Sequence, residues 1–407
     1  MQAAIRNRLV LHVGGYDLMP PDAFHRRFAR ELRRFEGTWH VTAEVTAPEV
    51  SENDAHWGIA ASGPDWHVAT DYRLVRWDDV IAAMCRRSDW RRIGAGLFAF
   101  VDFLRGGTLS GYLRTNWRYA GFFVYPYLLL AGFAGVALLL GFSIGRLSGS
   151  SFAGTAAALA AFAALLRWPG RWLFLDTLLD DWIFTREYAH CEHPVLGPRL
   201  DAAASRICEA AQAGGVEEIL IIGHSLGAVL AIDLLDRVLR LNPAFGRTGA
   251  RVAFLSVGSS VLKVGLHRGA ARFRAAVEKV ANADGIFWGE YQALTDVMNF
   301  YKADPVAEMG LKGRSPVLRQ VRVKAMIDPA AYRRIKRNLF RVHSQFVSAN
   351  DLRAAYDYFM LVCGPFWAED QVRSRHGAVA WIGSDGSLVR AATPDETVDQ
   401  RIRKAAS

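Results

Sequence analysis

Cysteine is scarce in this chain of 407 residues, which has only four, at positions 85, 191, 208 and 363. None of them is spaced as a pair, and disulfides are rare inside cells. The first apolar run does not resemble a secretory signal, because Arg6 and Arg8 interrupt it and no small-residue cleavage site follows. These absences predict reduced thiols and an N-terminus that stays inside the cell.

Charge is absent from two long stretches in the middle of the chain. Residues 119–144 carry none, and after Arg146 residues 147–166 form a second uncharged run. Each run is long enough to cross a hydrocarbon core about 30 Å thick, which needs about 20 helical residues. The alternative is a buried hairpin of a soluble core, where uncharged runs of this length are rare. The sequence therefore predicts a transmembrane hairpin with Arg146 in the turn between its helices.

Small and cationic residues predict how this hairpin packs and how it is oriented. Gly132, Gly135, Gly154 and the alanines between 156 and 164 would let the two helices approach closely. The positive-inside tendency directs the more cationic ends of the spans to the cytoplasm. Arg146 is the one cation between the spans, whereas five arginines flank their outer ends, at positions 105, 114, 118, 167 and 171. Both outer ends, with the rest of the chain, are expected on the cytoplasmic side.

Acidic residues are nearly absent between residues 311 and 341, where ten Lys or Arg stand against one acid, Asp328. A helix-like stretch at residues 22–36 adds five arginines. No nucleic-acid recognition motif accompanies these cations, so no nucleic-acid partner is predicted. Attraction to anionic membrane lipids explains them economically, and an ordinary solvated face is the alternative.

Strand-like and helix-like segments alternate on both sides of the uncharged runs. Their order predicts an α/β fold with a mainly parallel sheet and helices on both faces, interrupted by the two-helix hairpin. The strand candidates are NRLVLHV, WHVTAEV, WHVATDYRLV, EEILII, RVAFLSV, GIFWGEYQ and RQVRVKAMI. The predicted division is an N-terminal part of the sheet domain at 1–105, the hairpin insertion at 106–185 and a C-terminal part at 186–407.

A serine stands between two glycines where a strand candidate meets a helix candidate. The stretch Gly223, His224, Ser225, Leu226, Gly227 follows EEILII and precedes the apolar helix pattern of AVLAIDLLDRVL. This is the context of a nucleophile elbow, a strained turn that tolerates only small residues two positions either side of the serine. We therefore predict Ser225 as the nucleophile and the backbone N–H of Leu226 as an oxyanion donor. The alternative is a serine in a tight turn without a catalytic role.

A serine nucleophile needs a base, which should follow it in the chain. Three histidines do, at positions 267, 343 and 376. His267 precedes any plausible acid-bearing loop, and His376 lies beyond the last helix-like segment. His343 follows the strand candidate at 319–327 and precedes a helix-like segment. His343 is the predicted base.

The base in turn needs a carboxylate that holds its tautomer. Asp296 comes four residues after the strand candidate that ends near Gln292, and it is our first choice. Asp304 lies at a proline-marked turn further on, where it could instead cap the next helix. Glu290 is a third possibility.

A second oxyanion donor is expected in the loop after an early strand. LVLHVGGYD places Gly14, Gly15 and Tyr16 there, and two glycines let the backbone approach a reacting carbonyl oxygen. A tight turn without a catalytic role is the alternative.

The elbow GHSLG, the loop HVGGY, Asp296 and the late His343 together resemble the α/β-hydrolase superfamily, on its lipase and esterase side. The resemblance covers residues 5 to about 365. It implies a serine hydrolase that cleaves a lipid or acyl ester through an acyl-enzyme, with no cofactor. Membrane-attached bacterial proteins of this type look similar, which implies an inner-membrane location with the hydrolase domain facing the cytoplasm. Two features depart from the family pattern: His12 and Val13 stand before the glycines in place of the usual His-Gly, and the apolar hairpin is inserted.

Other functions stay open at this point. His190, Cys191 and His193 in AHCEHP match no common ligand spacing, so no metal is predicted. A catalytically inactive hydrolase fold could serve as a membrane-tethered binding or scaffold module, and the same triad could act as an acyltransferase. The acyl chain, a lid and the oligomeric state are left open by the sequence.

Overall fold

The computed structural model describes residues 4–389, so the outermost residues of the predicted domain segments, 1–3 and 390–407, lie outside it. The chain forms two compact units. Unit 1 comprises Met1–Asp78, Val195–Leu262 and Arg274–Ser407, and unit 2 comprises Asp79–Pro194 and Lys263–Phe273. The strands of the described residues are β1 (Asn7–Val13), β2 (Thr42–Val45), β3 (Glu49–Val50), β4 (Asp54–Gly63), β5 (Trp66–Val75), β6 (Glu218–His224), β7 (Arg251–Val257), β8 (Ile286–Ala293) and β9 (Val317–Val321).

Helices connect and cover these strands. The helices of the described residues are α1 (Pro21–Trp39), α2 (Asp78–Cys85), α3 (Asp89–Arg105), α4 (Thr108–Thr115), α5 (Trp117–Ser148), α6 (Ser151–Leu165), α7 (Leu175–His190), α8 (Leu196–Ala213), α9 (Gly227–Leu241), α10 (Val261–Gly265), α11 (Ala271–Ala281), α12 (Pro305–Glu308), α13 (Pro329–Ile335), α14 (Leu339–Ser344), α15 (Tyr358–Cys363) and α16 (Ala368–Arg373). A π-helical turn, Leu166–Gly170, continues α6.

All nine strands belong to one sheet in unit 1, in the order β2-β4-β5-β1-β6-β7-β8-β9, with β3 beside β4. From β5 to β9 in this order, each strand runs parallel to the next. At the other edge, β2, β3 and β4 pair in antiparallel fashion. The predicted α/β class is confirmed, and the sheet is mixed. The sequence reading missed β4, whose glycine, alanine and serine residues have low strand propensity. Its pairing with β5 stabilises it.

The two faces of the central strands are buried by different helices. Leu220 and Ile222 of β6 belong to an apolar cluster that includes Phe28 of α1 and side chains of α15. Ile219 and Ile221, which point the opposite way, are equally buried, and α9 packs on β6 and β1. The sheet therefore fixes the ends of β1, β6, β7 and β8 relative to one another, because each strand is held by its neighbours and by both faces.

The last strand is shorter than the sequence suggested. The prediction of a strand at 319–327 was wrong at its end, because β9 stops at Val321 and a 3-10 turn, Val323–Ala325, follows. Val323, Met326 and Ile327 are buried in the apolar cluster, so the apolar pattern of this stretch reflects core packing without strand pairing. His343 lies inside α14, whereas the sequence reading placed it before a helix.

Unit 2 contains the two uncharged runs as helices. Trp117–Ser148 and Ser151–Gly170 are long and apolar enough to cross a membrane, by length and composition. Many of their large apolar side chains are exposed, with Leu147 at 88% and Phe152 at 83%. The first helix, Trp117–Ser148, extends beyond its predicted span of 119–144, whereas the second begins at Ser151 and not at 147 and runs on to Gly170. The turn falls at Gly149, which has φ +64°, and Ser150, whose side chain caps α6.

Two details of the predicted hairpin were wrong. Arg146 lies in the last turn of α5 and not between the helices. The close approach occurs at Gly141 and Gly154, since a Cβ atom added at Gly141 would lie 2.6 Å from the Gly154 carbonyl oxygen. Gly132 and Gly135 would have nothing within 4 Å of an added Cβ. Gly154 and Ala158, one of the predicted alanines, do lie at the close approach, since a Cβ atom added at Gly141 would also lie 2.6 Å from Ala158 Cβ.

Candidate active site

Ser225 occupies a strained turn between β6 and α9. Its φ of +56° lies in the left-handed region, which non-glycine residues rarely adopt and which costs on the order of 1–2 kcal/mol. The backbone around it holds this conformation. Ser225 N–H donates to the Val257 carbonyl at 3.1 Å, and the Ser225 carbonyl accepts from Ser260 N–H at 3.2 Å. The turn is thereby fixed to the end of the neighbouring strand, β7.

The two glycines of the elbow are required sterically. A Cβ atom added at Gly227 would lie 2.0 Å from the Val13 carbonyl oxygen, and one added at Gly223 would lie 2.4 Å from Ala228 Cα. Neither neighbour can yield, because both contacts are with backbone atoms. The small-residue requirement inferred from the sequence thus has a direct cause in this turn.

His343 and Asp296 form a buried pair at the same end of the sheet. His343 Nδ1 lies 2.7 Å from Asp296 Oδ2, and both side chains are buried. The other carboxylate oxygen, Oδ1, accepts the Met298 N–H at 2.9 Å. Because a carboxylate accepts hydrogen bonds, the ring proton is assigned to Nδ1 and the lone pair to Nε2. His343 Nε2 is buried and has no hydrogen-bond partner among the described residues.

Shared neighbours bring Ser225 and His343 to one place. Gly258 follows Val257, the acceptor of the Ser225 N–H, and a Cβ atom added at Gly258 would lie 3.2 Å from His343 Cε1. His224, the residue before the serine, has its Nε2 atom 3.3 Å from the His343 carbonyl oxygen. The carboxyl ends of β6, β7 and β8 therefore converge on the serine and the histidine, as parallel strands at one edge allow.

The loop after β1 also reaches the serine. A Cβ atom added at Gly15 would lie 2.8 Å from Ser225 Cβ and 3.4 Å from its Oγ. The flanking residues are held by Trp77, whose Nε1 donates to the Gly14 carbonyl at 3.0 Å and whose ring lies 5.9 Å from that of Tyr16. Leu226 immediately precedes α9, where helix N–H groups lack intrahelical acceptors. The loop after β1 and the start of α9 thus both border Ser225.

The other two candidate acids make different contacts. Asp304 caps α12, with its Oδ1 accepting the Val306 N–H at 2.9 Å and the Ala307 N–H at 3.2 Å. Glu290 accepts from Ser256 Oγ and Gln292 Nε2, both at 2.9 Å, within the sheet. Of the three, Asp296 is the one that contacts His343.

Burial of Glu290 makes folding stability depend on pH. Burial raises the pKa of Glu290 to about 7, so the folded chain keeps this proton to a higher pH than the unfolded chain does. Stability is therefore lost as pH rises from about 4.5 to about 7, by about 3 kcal/mol at most. We expect Glu290→Gln to raise the melting temperature relative to the wild type more at pH 8 than at pH 5. If Glu290→Gln changed the melting temperature equally at both pH values, burial of Glu290 would not be the cause. The same would follow if the exposed control Glu209→Gln showed the larger increase at pH 8.

Two histidines beside the site were not assigned individual roles by the sequence reading. His12 Nδ1 lies 3.1 Å from the Tyr358 hydroxyl, and burial, reinforced by Arg27, lowers the pKa of His12 to about 3. Burial, then His343 and His12, hold the pKa of His224 well below its usual value. Both rings are therefore neutral near pH 7, and the His224 ring lies 4.7 Å from that of His343. The sequence feature that could have identified these two histidines is their position at the ends of β1 and β6.

Among the described residues, one group of side chains in unit 2 is arranged as the ligands of a metal ion would be. It consists of Asp102, His190 and His267. His190 is grouped there with two residues from outside its own motif. Asp102 Oδ2 lies 2.7 Å from His190 Nε2, 3.5 Å from His267 Nε2 and 2.8 Å from Arg186 Nε. His267 Nδ1 accepts the Gly269 N–H, so its proton is on Nε2, where a metal would need a lone pair. The group is better described as a carboxylate surrounded by cationic and N–H donors.

Comparisons with known proteins add no assignment to this geometry. No protein-family model, no curated protein and no solved structure matches the chain. The functional interpretation accordingly depends on the contacts described above.

Proposed function

We propose that this chain is a membrane-anchored serine hydrolase that cleaves an ester bond of a lipid or another acyl ester. The observation that carries the proposal is the buried 2.7 Å contact between His343 Nδ1 and Asp296 Oδ2 beside a serine with φ +56°. A hydrogen-bonded histidine with a free Nε2, next to a serine on a strand-to-helix turn, is the arrangement that activates a hydroxyl for acyl transfer.

Each group has a definite task in this mechanism. His343 Nε2 takes the proton of Ser225 Oγ as the oxygen attacks the ester carbonyl, and Asp296 stabilises the imidazolium that forms. The N–H groups of Leu226 and of the Gly14–Tyr16 loop stabilise the oxyanion. The imidazolium then protonates the leaving alcohol, which departs and leaves an acyl group on Ser225. Water, deprotonated by His343, releases the acid and restores the serine.

The proposed role of Asp296 predicts that replacing it lowers the catalytic rate. We expect Asp296→Asn to lower kcat by on the order of 10³- to 10⁴-fold, because the amide favours the wrong tautomer of His343. Asp304→Asn is the matched control, since it changes the alternative acid and should leave kcat within about twofold while costing at most about 1 kcal/mol of stability. Steady-state kinetics on purified protein compare the two. A larger loss of kcat in Asp304→Asn than in Asp296→Asn would assign Asp304 as the acid in place of Asp296.

The substrate class is tested with a series of p-nitrophenyl esters of increasing acyl length, presented in detergent micelles. We expect turnover that a fluorophosphonate blocks and a preference for longer chains. Folded protein that turns over no ester in the series would contradict the proposal and favour the inactive binding module.

The anchor forms the second part of the proposal, in which α5 and α6 cross the bacterial inner membrane and the rest of the chain faces the cytoplasm. It is supported by the length, uncharged sequence and exposed apolar side chains of these helices. In spheroplasts, Ser148→Cys at the exposed turn should react with a membrane-impermeant maleimide. The exposed Cys191 serves as the control and should react only after permeabilisation. Labelling of Cys191 in intact spheroplasts, with labelling of the Ser148→Cys variant's new thiol only after permeabilisation, would show the opposite topology.

A further inference from the structure

A strongly basic face lies on unit 1 beside the candidate active site. It consists of the exposed cations of α1 and of the segment that runs through α13 to α14, namely Arg26, Arg30, Arg33, Arg322, Lys324, Arg333, Arg334, Lys336, Arg337 and Arg341. We call it the basic face. Among the described residues, Arg30 alone of this set has an ion-pair partner, Glu31 at 3.4 Å.

Contacts beneath the basic face hold its two parts together. Arg34 of α1 pairs with Asp351, and the other oxygen of this carboxylate accepts the Asp328 N–H at 2.9 Å, at the start of α13. Arg27 of α1 donates to Ser348 Oγ at 3.1 Å, just beyond α14. These contacts join α1 to the segment that carries α13 and α14, so both sets of cations lie on segments that are in contact. The acids in these contacts, Asp328 and Asp351, are outnumbered by the ten cations of the basic face.

Apolar side chains interrupt the cations at one point. Leu339, the first residue of α14, is 41% exposed and lies between Arg337 and Arg341 in the chain. Cations that surround an exposed leucine fit an anionic lipid surface, where headgroups neutralise the charge and the leucine enters the interface. A nucleic acid would also attract the charges, but no nucleic-acid recognition motif accompanies them.

We propose that the basic face binds the anionic headgroups of a bilayer, with Leu339 at the interface. This contact requires only the surface and not the chemistry of the triad. If the proposed hydrolase function also holds, the contact presents membrane lipids to the site, because α14 carries both Leu339 and His343.

The test uses the full chain in nanodiscs of either zwitterionic lipid alone or the same lipid with about a third phosphatidylglycerol. An environment-sensitive fluorophore is placed at Leu339→Cys in a background of Cys85→Ser and Cys191→Ser, the two cysteines that are not buried. We expect a blue shift of the emission in the anionic discs alone, reversed by 0.5 M salt because the Debye length falls to about 4 Å.

Two double charge reversals of equal size provide the matched comparison. Arg333→Glu with Arg337→Glu should abolish the shift, whereas Lys312→Glu with Arg375→Glu, exposed cations outside the basic face, should preserve it. A shift that is equal in both disc types, or that survives the first pair of changes, would overturn the proposal. The proposal would also be overturned if added oligonucleotide protected the fluorophore while anionic lipid left its emission unchanged. Labelling of Ser225 by a fluorophosphonate reports on the triad separately and should persist in both double variants.

Discussion

Replacing Ser225 by alanine is expected to reduce ester turnover by on the order of 10⁵- to 10⁶-fold, the largest effect that any single change in this chain should produce. The hydroxyl is the group that forms the acyl-enzyme, so its removal leaves only the oxyanion donors and substrate binding. Substrate affinity should change little, because alanine keeps the backbone of the turn. Alanine at φ +56° is no more strained than serine, so the fold should persist.

His343→Ala should cause a loss of similar size, and combining the two changes should add little. Residues that act as one unit are not additive, since removing either disables the same step. Ser62→Ala, in β4 at the antiparallel edge, is the matched serine control and should retain wild-type turnover. Residual activity above about 1% in Ser225→Ala, or additive losses in the double variant, would indicate a different nucleophile.

Gly227→Ala is expected to cost more than about 4 kcal/mol of folding stability, enough to prevent recovery of folded protein. The added methyl group would lie 2.0 Å from the Val13 carbonyl oxygen and 2.5 Å from that of Gly14. Both are backbone atoms at the end of β1, which is held between β5 and β6. Relief would require moving either the strand or the start of α9, and both are in the core.

Gly37→Ala provides the control for this prediction. Gly37 lies in α1, and a Cβ atom added there would have nothing within 4 Å. Alanine should stabilise the helix by roughly 0.5–1 kcal/mol. The yield of folded protein for both variants, and the thermal unfolding in the same detergent of whatever folded protein is recovered, give the comparison. A Gly227→Ala protein with the wild-type melting temperature would show that α9 does not pack on β1 as described.

The sharp strand-to-helix turn at Ser225 could be predicted from sequence because all of its determinants are local. A strand, a turn and a helix lie within a few residues, and the two glycines answer a steric need inside the turn itself. The sequence favoured Asp296 over Asp304 without a contact to support the choice, since both follow β8. Asp304 engages its carboxylate in capping α12, whereas Asp296 reaches a histidine that lies 47 residues away in the chain.

The errors in the fold also have physical causes. The end of β9 was placed too late because Val321, Val323, Ala325 and Ile327 alternate in the sequence as they would in a strand, although a 3-10 turn begins at Val323. β4 was missed because its stability comes from pairing with β5, which no local propensity records. The helix turn was misplaced at Arg146 because the charge suggested a break, while Gly149 and Ser150 supply the actual cap.

Labelling the purified full-length chain with a fluorophosphonate, followed by peptide mapping, tests the central claim most directly. The reagent phosphonylates a serine only where a base and oxyanion donors activate it. We predict one adduct per chain, on the peptide that carries Ser225, and no adduct in His343→Ala. Folded protein without an adduct, or with the adduct on another serine, would contradict the proposal that Ser225, His343 and Asp296 form a working triad.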